Sequence, residues 1–329
     1  MSDSTTEKAE AGYTTTTSSS SNGENVALDK HDDDDTAGEH AGDDEPKYAS
    51  GLQLWAIMSS IFLATLVAAL DLGIVATAIP GITSDFHSLD DIGWYGGTIF
   101  ITVGASAPII GKLYKYFSGR WVYLGNVLVF MVGSLIVAPA PNSVALIVGR
   151  AIQGVGVAGV LGGSVLMITY SAEPKARPML IGLWTGVLMI STVLGPLIGG
   201  AFTTNVSWRW CFWINLPIGG PIVILVLLFF HMPKHTKPTP ATWKEILLQL
   251  DLPGFVLLLA SVVIFTQAMQ WGGQTKSWSD GSVIATLVVW LVLTIAFIVL
   301  EWFQGEYAMI PLRNLKPRLF WTNALYGWL

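Results

Sequence analysis

The sequence predicts an all-α membrane protein, and three observations carry that prediction. Its 329 residues are 52% hydrophobic and only 12% charged, about half the charged share of an ordinary soluble domain. Past Tyr48, apolar runs of about 20 residues recur, each long enough to cross a ~30 Å hydrocarbon core as a helix. Lysine and arginine gather in every second connection between those runs, the asymmetry that sets helix orientation in a bilayer.

Residues 1–50 read as a disordered acidic tail. They hold thirteen acids and three bases, a net of −10, whereas 51–329 hold ten acids and fourteen bases, a net of +4. The tail contains a Thr/Ser block from Thr14 to Ser21 and an acid run from Asp32 to Asp35. With few large apolar residues it cannot bury enough surface to offset chain entropy. It lacks the basic start and apolar core of a secretory signal. The chain's net −6 therefore belongs to the tail and implies neither a basic partner nor a nucleic acid. The single cysteine, Cys211, excludes an intrachain disulfide.

Spans are expected near 54–80, 94–111, 121–138, 143–169, 179–201, 212–231, 252–271 and 282–302. The first six make one lobe over 51–231. A connection at 232–250 leads to two additional spans within 251–302. Residues 303–329 read as a loop and the start of a ninth span, because the apolar run from Leu319 to Leu329 is too short to cross. Connections after the even-numbered spans carry Lys112, Lys115, Arg120, Lys175, Arg177, Lys234, Lys237, Lys244, Arg313, Lys316 and Arg318; the opposite ones carry Arg209 and Lys276. The even connections and the tail are therefore assigned to the cytoplasm. Trp94, Trp208, Trp210, Trp271 and Trp278 near the outer boundary, and Trp55, Trp121 and Trp302 near the inner one, read as interfacial anchors.

Two charges lie inside spans, where each costs at least ~2.5–3.5 kcal/mol on insertion scales and so needs a partner or a wet cavity. Asp71 lies nine residues before Pro80, taken as the end of span one, which is roughly 13 Å down at 1.5 Å per residue. Arg150 lies seven residues past Ser143, roughly 11 Å down span four. Similar depth predicts that they pair or share one cavity, either as a working site or as a bridge that only orients two helices. Gln153 follows Arg150 at i+3 on the same face. Of the pair, only Asp71 can exchange a proton at a working pH, since arginine stays protonated. Asp71 is thus the candidate proton carrier and Arg150 its tuning partner.

Glycines are the second signal. Gly154, Gly156, Gly159, Gly162 and Gly163 follow Arg150, and Gly182, Gly186, Gly195, Gly199 and Gly200 accompany Pro196 in span five. Small residues let membrane helices approach closely, and an interior proline removes a hydrogen bond.

These segments resemble the major facilitator superfamily. Gly111-Lys112-Leu113-Tyr114-Lys115-Tyr116-Phe117-Ser118-Gly119-Arg120 is similar to that family's loop between helices two and three. Leu146 through Ala158, with Arg150, Gln153, Gly154 and Gly156, resembles its helix-four motif. Gly182 to Gly200, ending Gly195-Pro196-Leu197-Ile198-Gly199-Gly200, resembles its helix-five antiporter motif. Leu70-Asp71 through Ala78-Ile79-Pro80, together with Trp208-Arg209-Trp210 and Phe212-Trp213-Ile214-Asn215-Leu216-Pro217, resembles the 14-span branch. Within that branch the likeness is closest to fungal multidrug and toxin efflux pumps. It implies proton-driven export of small amphipathic molecules, an MFS-type six-helix first lobe, a second lobe needed for transport, no cofactor, and a plasma-membrane or vacuolar location. Two positions depart from the pattern: Lys115 stands where the family loop has an acid that ties the two lobes, and Ser191 replaces the middle glycine of the helix-five motif.

Other classes fare worse. His87 and Asp90 share a loop without a nucleophile, and no GxxxxGK[ST] segment exists for a nucleotide. His231 and His235 flank Pro233 without an acidic partner, a poor metal set. An enzyme is not expected. A non-transporting fragment and a proton-coupled importer of sugars or siderophores remain as alternatives. The sequon Asn205-Val206-Ser207 falls in a short outer connection, where little glycosylation is expected.

Overall fold

The structure, a computed structural model, describes residues 48–49, 51–230, 240–273, 275–305, 307–309 and 322. The helices are α1 (Gly51–Phe86), α2 (Ile92–Tyr116), α3 (Gly119–Val137), α4 (Ser143–Ser171), α5 (Arg177–Asn205), α6 (Trp210–Trp213), α7 (Asn215–Phe229), α8 (Trp243–Leu250), α9 (Leu252–Trp271) and α10 (Gly281–Gln304). Taking α6 with α7 and α8 with α9, eight are long and apolar enough to cross a membrane. The all-helical class read from the sequence holds, and α9 and α10 follow the six-span lobe as its two extra spans. Of the tail read at 1–50, only Tyr48 and Ala49 are described: the Ala49 amide donates to the Ser171 carbonyl (3.1 Å) and Arg177 lies over the Tyr48 ring. Of the stub read from Leu319 only Thr322 is described, and His231 and His235 lie outside the described residues.

Three local expectations are corrected. First, span one does not stop at Pro80: α1 continues to Phe86. A proline deletes one rung of the ladder, here the one to the Ala76 carbonyl, and need not end a helix. Thr83 Oγ1 donates to the Ile79 and Pro80 carbonyls (2.9 and 3.1 Å), bonding just past the gap. Second, span six is two helices divided at Ile214, because Pro217 has no N–H to offer the Trp213 carbonyl. Third, Trp208 is not an interfacial anchor. It is buried and donates Nε1 to Asp85 Oδ2 (2.8 Å), beside the Arg209–Asp85 ion pair (2.8 Å) that joins the end of α1 to the start of α6. Trp55, Trp121, Trp210, Trp278 and Trp302 are exposed.

The lobe packs through close crossings of α1 with α5, α3 with α4 and α2 with α4. Small residues set the distances: a Cβ at Gly195 would lie 3.1 Å from Gly73 Cα, and one at Gly154 would overlap Thr102 Oγ1. Two apolar clusters result. One gathers Ile57 to Ala68 of α1 with Phe130, Val157 and Ile222; the other gathers Leu70 to Ile82 with Val137, Leu146 and Phe212.

The connection read at 232–250 contains α8, an amphipathic helix that opens with a capping box between Thr242 and Glu245. It ends at Asp251, whose left-handed backbone (φ 46°) turns the chain into α9; aspartate tolerates that conformation better than most residues. The buried Asp251 carboxylate accepts from Gly254 N (2.9 Å), Gln304 Nε2 (2.8 Å) and Met309 N (3.1 Å). Lys112 Nζ of α2 donates to the carbonyls of Gln249 (2.5 Å), Ala308 (2.7 Å) and Tyr307 (3.2 Å). Around α10, Asp280 caps the first turn, and hydrogen bonds from the Ser282 hydroxyl and amide hold its carboxyl below the usual carboxylate range. The α9–α10 hairpin closes through Ser261 and Thr294 (2.8 Å) and the Phe265–Trp290 rings (4.9 Å).

Replacing Asp251 with alanine orphans the Gly254 amide and the Gln304 side-chain amide and leaves the Met309 amide only Glu301 (3.2 Å), so the D251A chain in detergent should unfold about 2 kcal/mol easier than the parent. D251N, which keeps one acceptor and the left-handed tolerance, should lose clearly less in the same unfolding measurement.

Candidate functional site

The seam between the two apolar clusters holds a layer of buried polar side chains. Along α1 the clusters meet at Asp71, along α4 at Arg150 and Gln153, along α3 at Ser134, and along the broken sixth span at Asn215. All five side chains are buried, the most exposed of them 1%. The three expected from the sequence, Asp71, Arg150 and Gln153, therefore meet. Ser134 and Asn215 were not anticipated. Asn215 had a signal, an amide in an apolar run between a tryptophan and a proline; a serine in a helix such as Ser134 has none.

The contacts close almost completely. Arg150 Nη1 donates to Asp71 Oδ2 at 2.5 Å and to Gln153 Oε1 at 3.2 Å. Asp71 Oδ1 accepts from Gln153 Nε2 (3.2 Å) and Asn215 Nδ2 (3.0 Å). Those same two amides also donate to Ser134 Oγ (2.8 and 3.1 Å), which passes its own proton to the Phe130 carbonyl (3.0 Å). Arg150 Nε donates to the Tyr95 carbonyl of α2 (3.3 Å), and the guanidinium faces the Phe212 ring of α6 at 5.7 Å. Arg150 Nη2 is the one group of the set without a protein partner. Gly133 makes room for the crossing, since a Cβ there would lie 2.6 Å from the Gln153 backbone nitrogen.

The glycines expected to serve conformational motifs divide into two kinds. Gly154, Gly156, Gly195 and Gly199 sit where a Cβ would strike a neighbouring helix, whereas Gly111 and Gly200 face open space. Gly119 is buried at the start of α3, and Pro196 lies inside α5. Ser191, the departure from the helix-five pattern, is buried and returns its hydroxyl to the Val187 carbonyl (2.7 Å), so it fits without a further partner. Lys115 is exposed beside the Tyr116 ring. Arg120 donates Nη2 to the Leu227 carbonyl at the end of α7 and lies over Trp121. Among the described residues no group of three His, Cys, Asp or Glu could hold a metal.

A buried ion pair is costly to break from one side, about 3–5 kcal/mol, but cheap to remove whole. D71A should therefore destabilise the chain by roughly that amount in detergent unfolding, while D71L combined with R150M should recover most of the loss. The interaction energy of the cycle is the quantity to measure.

Comparison with known proteins agrees with this architecture. A profile described as Major Facilitator Superfamily matches residues 61–318. The chain is 71% identical to the efflux pump notK of Aspergillus sp. (strain MF297-2), over 87% of this chain and 51% of that protein. It is 61% identical to a dehydrocurvularin exporter of Alternaria cinerariae, over 86% of this chain and 48% of that protein. It is 59% identical to a dehydrocurvularin exporter of Aspergillus terreus, over 85% and 49%. The chain thus spans about half the length of the curated relatives it matches. It is a multi-pass integral membrane protein, and it belongs to the Major Facilitator Superfamily.

Proposed function

We propose that this chain supplies the first lobe and two extra spans of a proton-coupled exporter of small amphipathic molecules, with its N-terminus in the cytoplasm of a fungal cell and the plasma membrane as its location. Relatives named as an efflux pump and as exporters of a fungal small molecule support the direction of transport. The observation that carries the proton coupling is the buried Asp71–Arg150 pair with its two amides. An ionised carboxylate only accepts, and every contact drawn to Asp71 is a donor. A proton on Asp71 removes the charge that Arg150 Nη1 meets and, carried on Oδ1, displaces one of the two amide donors of Gln153 and Asn215 that this oxygen accepts, so the set of contacts weakens. Those contacts join α1 to α4 and α7, and through Ser134 to α3. Protonation therefore loosens α1 against its neighbours, and loss of the proton draws them together. That is the two-state element an alternating-access cycle needs near its midplane site. Arg150 cannot itself release a proton; it holds the anion when the proton has gone.

The test uses the full-length parent in vesicles under an imposed pH gradient. D71N should abolish proton-driven efflux with substrate binding retained. R150K should also fail, since it loses the planar multi-donor geometry. A D71N protein that pumps at the parent rate, with unchanged dependence on the gradient, would place the proton carrier elsewhere.

Topology is checked separately. Protease added outside intact cells should leave the acidic tail uncut, and cleavage there would reverse the assigned orientation. Asn205 ends α5 and donates Nδ2 to the Ala201 carbonyl (2.9 Å). It should therefore stay unglycosylated, with no mass shift on glycosidase treatment.

A further inference from the structure

Two amides in the buried polar layer take their direction from one hydroxyl. Ser134 Oγ donates to the Phe130 carbonyl four residues back (3.0 Å), so its proton is used inside α3. What the oxygen then offers its neighbours is lone pairs alone. Gln153 Nε2 (2.8 Å) and Asn215 Nδ2 (3.1 Å) both donate to it. Each of those nitrogens also donates to Asp71 Oδ1, at 3.2 Å from Gln153 and 3.0 Å from Asn215.

The two amides are not held equally. Gln153 is fixed from both of its polar atoms, because Oε1 accepts from Arg150 Nη1 (3.2 Å). Among the described hydrogen bonds, Asn215 is held through Nδ2 alone. The void of about 10 Å³ that Asn215 lines is otherwise walled by apolar side chains and Gly219, so no side chain there competes for the amide. Ser134 is thus the contact that keeps the Asn215 carbonyl turned away from the carboxylate. Its own place is set by the backbone. A Cβ at Gly156 would lie 2.5 Å from Phe130 N and one at Gly149 3.1 Å from Val137 N, so α3 meets α4 closely on either side of Ser134.

We propose that Ser134 is a positioning residue for proton uptake: it holds the Asn215 N–H toward Asp71, favours the anion, and so sets the pH at which the carboxyl takes its proton. This rests on the reading of Asp71 as the proton carrier. Without the hydroxyl the Asn215 amide is free to turn. A carbonyl oxygen facing Asp71 is a partner only for a protonated carboxyl, so the turned amide favours the proton that the original one opposes. The charged and titratable groups near Asp71 are Arg150 of α4 and the Cys211 thiol of α6. Tyr95 of α2 turns its hydroxyl to Ser143, and Tyr123 of α3 turns its own to Ser164. Beyond Arg177, α5 carries no ionisable side chain, and α7 carries none.

The chain in nanodiscs is titrated by infrared difference spectroscopy, where the carboxyl band lost in D71N reports the proton on Asp71. In S134A that band should appear about one pH unit higher than in the parent, a roughly tenfold gain in proton affinity. S134T keeps an acceptor and the bond within its own turn, and should titrate as the parent does. In an N215L background S134A should add no further shift, because the amide it releases is gone. Should S134A not fold, S134C, a weaker acceptor, should give a smaller shift in the same direction. A band that titrates alike in the parent and S134A overturns the proposal and leaves Asp71 standing as the proton site. A shift of equal size with and without Asn215 overturns it too. Absence of any carboxyl band that D71N removes overturns both readings.

Discussion

Much of this lobe is arranged around one requirement: an aspartate and an arginine have been placed where no water reaches them. Each charge alone would cost several kcal/mol to bury, so each must be met from several directions. Asp71 is met by donors from α4 and α7, and those donors are braced by Ser134 on α3. The apolar core consequently divides into two clusters with the polar layer between them. The break in the sixth span belongs to the same requirement. Asn215 stands at the first position of α7, immediately after the break, where it turns inward to the carboxylate.

Close backbone approach follows from that layer. Arg150 and Gln153 are long side chains that must reach sideways between helices rather than push them apart. Gly133 opposite Gln153 and Gly154 opposite Thr102 let α4 settle against α3 and α2. On the other flank of α1, Gly195 and Gly199 bring α5 against Gly73 and Ile74, in the turn that follows Asp71 along the helix. Helix packing in a bilayer lacks a hydrophobic drive of its own. Here dispersion at glycine contacts and the shared hydrogen bonds of the polar layer hold the bundle together.

Much of this was legible in the sequence, and the reasons for what was not are physical. Span existence follows from length and apolarity, so every span appeared where apolar runs predicted one. The charges stood out because ionisable residues are rare at that depth, and equal depth was enough to suggest pairing. The first span runs on past Pro80, because a proline removes a single rung and need not stop a helix. Residue type and a place near the outer boundary make Trp208 read as an anchor, but its indole donor has a specific acceptor in Asp85, distant in sequence. Ser134 and α8 carried weaker signals: a serine inside a helix commonly bonds its own turn, and an eight-residue amphipathic helix is too short to stand out from a connection.

The loop between α2 and α3 shows how a motif can persist while its attachment changes. The resemblance places an acid at the position of Lys115, tying one lobe to the other; here Lys115 points to solvent. Its neighbours are attached instead within this chain. Lys112 holds the α8–α9 turn and the segment after α10, and Arg120 holds the end of α7. With Gln270 packed on Gly93 at the far end, the α9–α10 hairpin is fastened to α2 at both its ends. A hairpin fastened in this way cannot slide against α2 without first giving up three carbonyl contacts to a lysine. The two extra spans are therefore better understood as a structural part of the first lobe than as a flexible tether leading away from it.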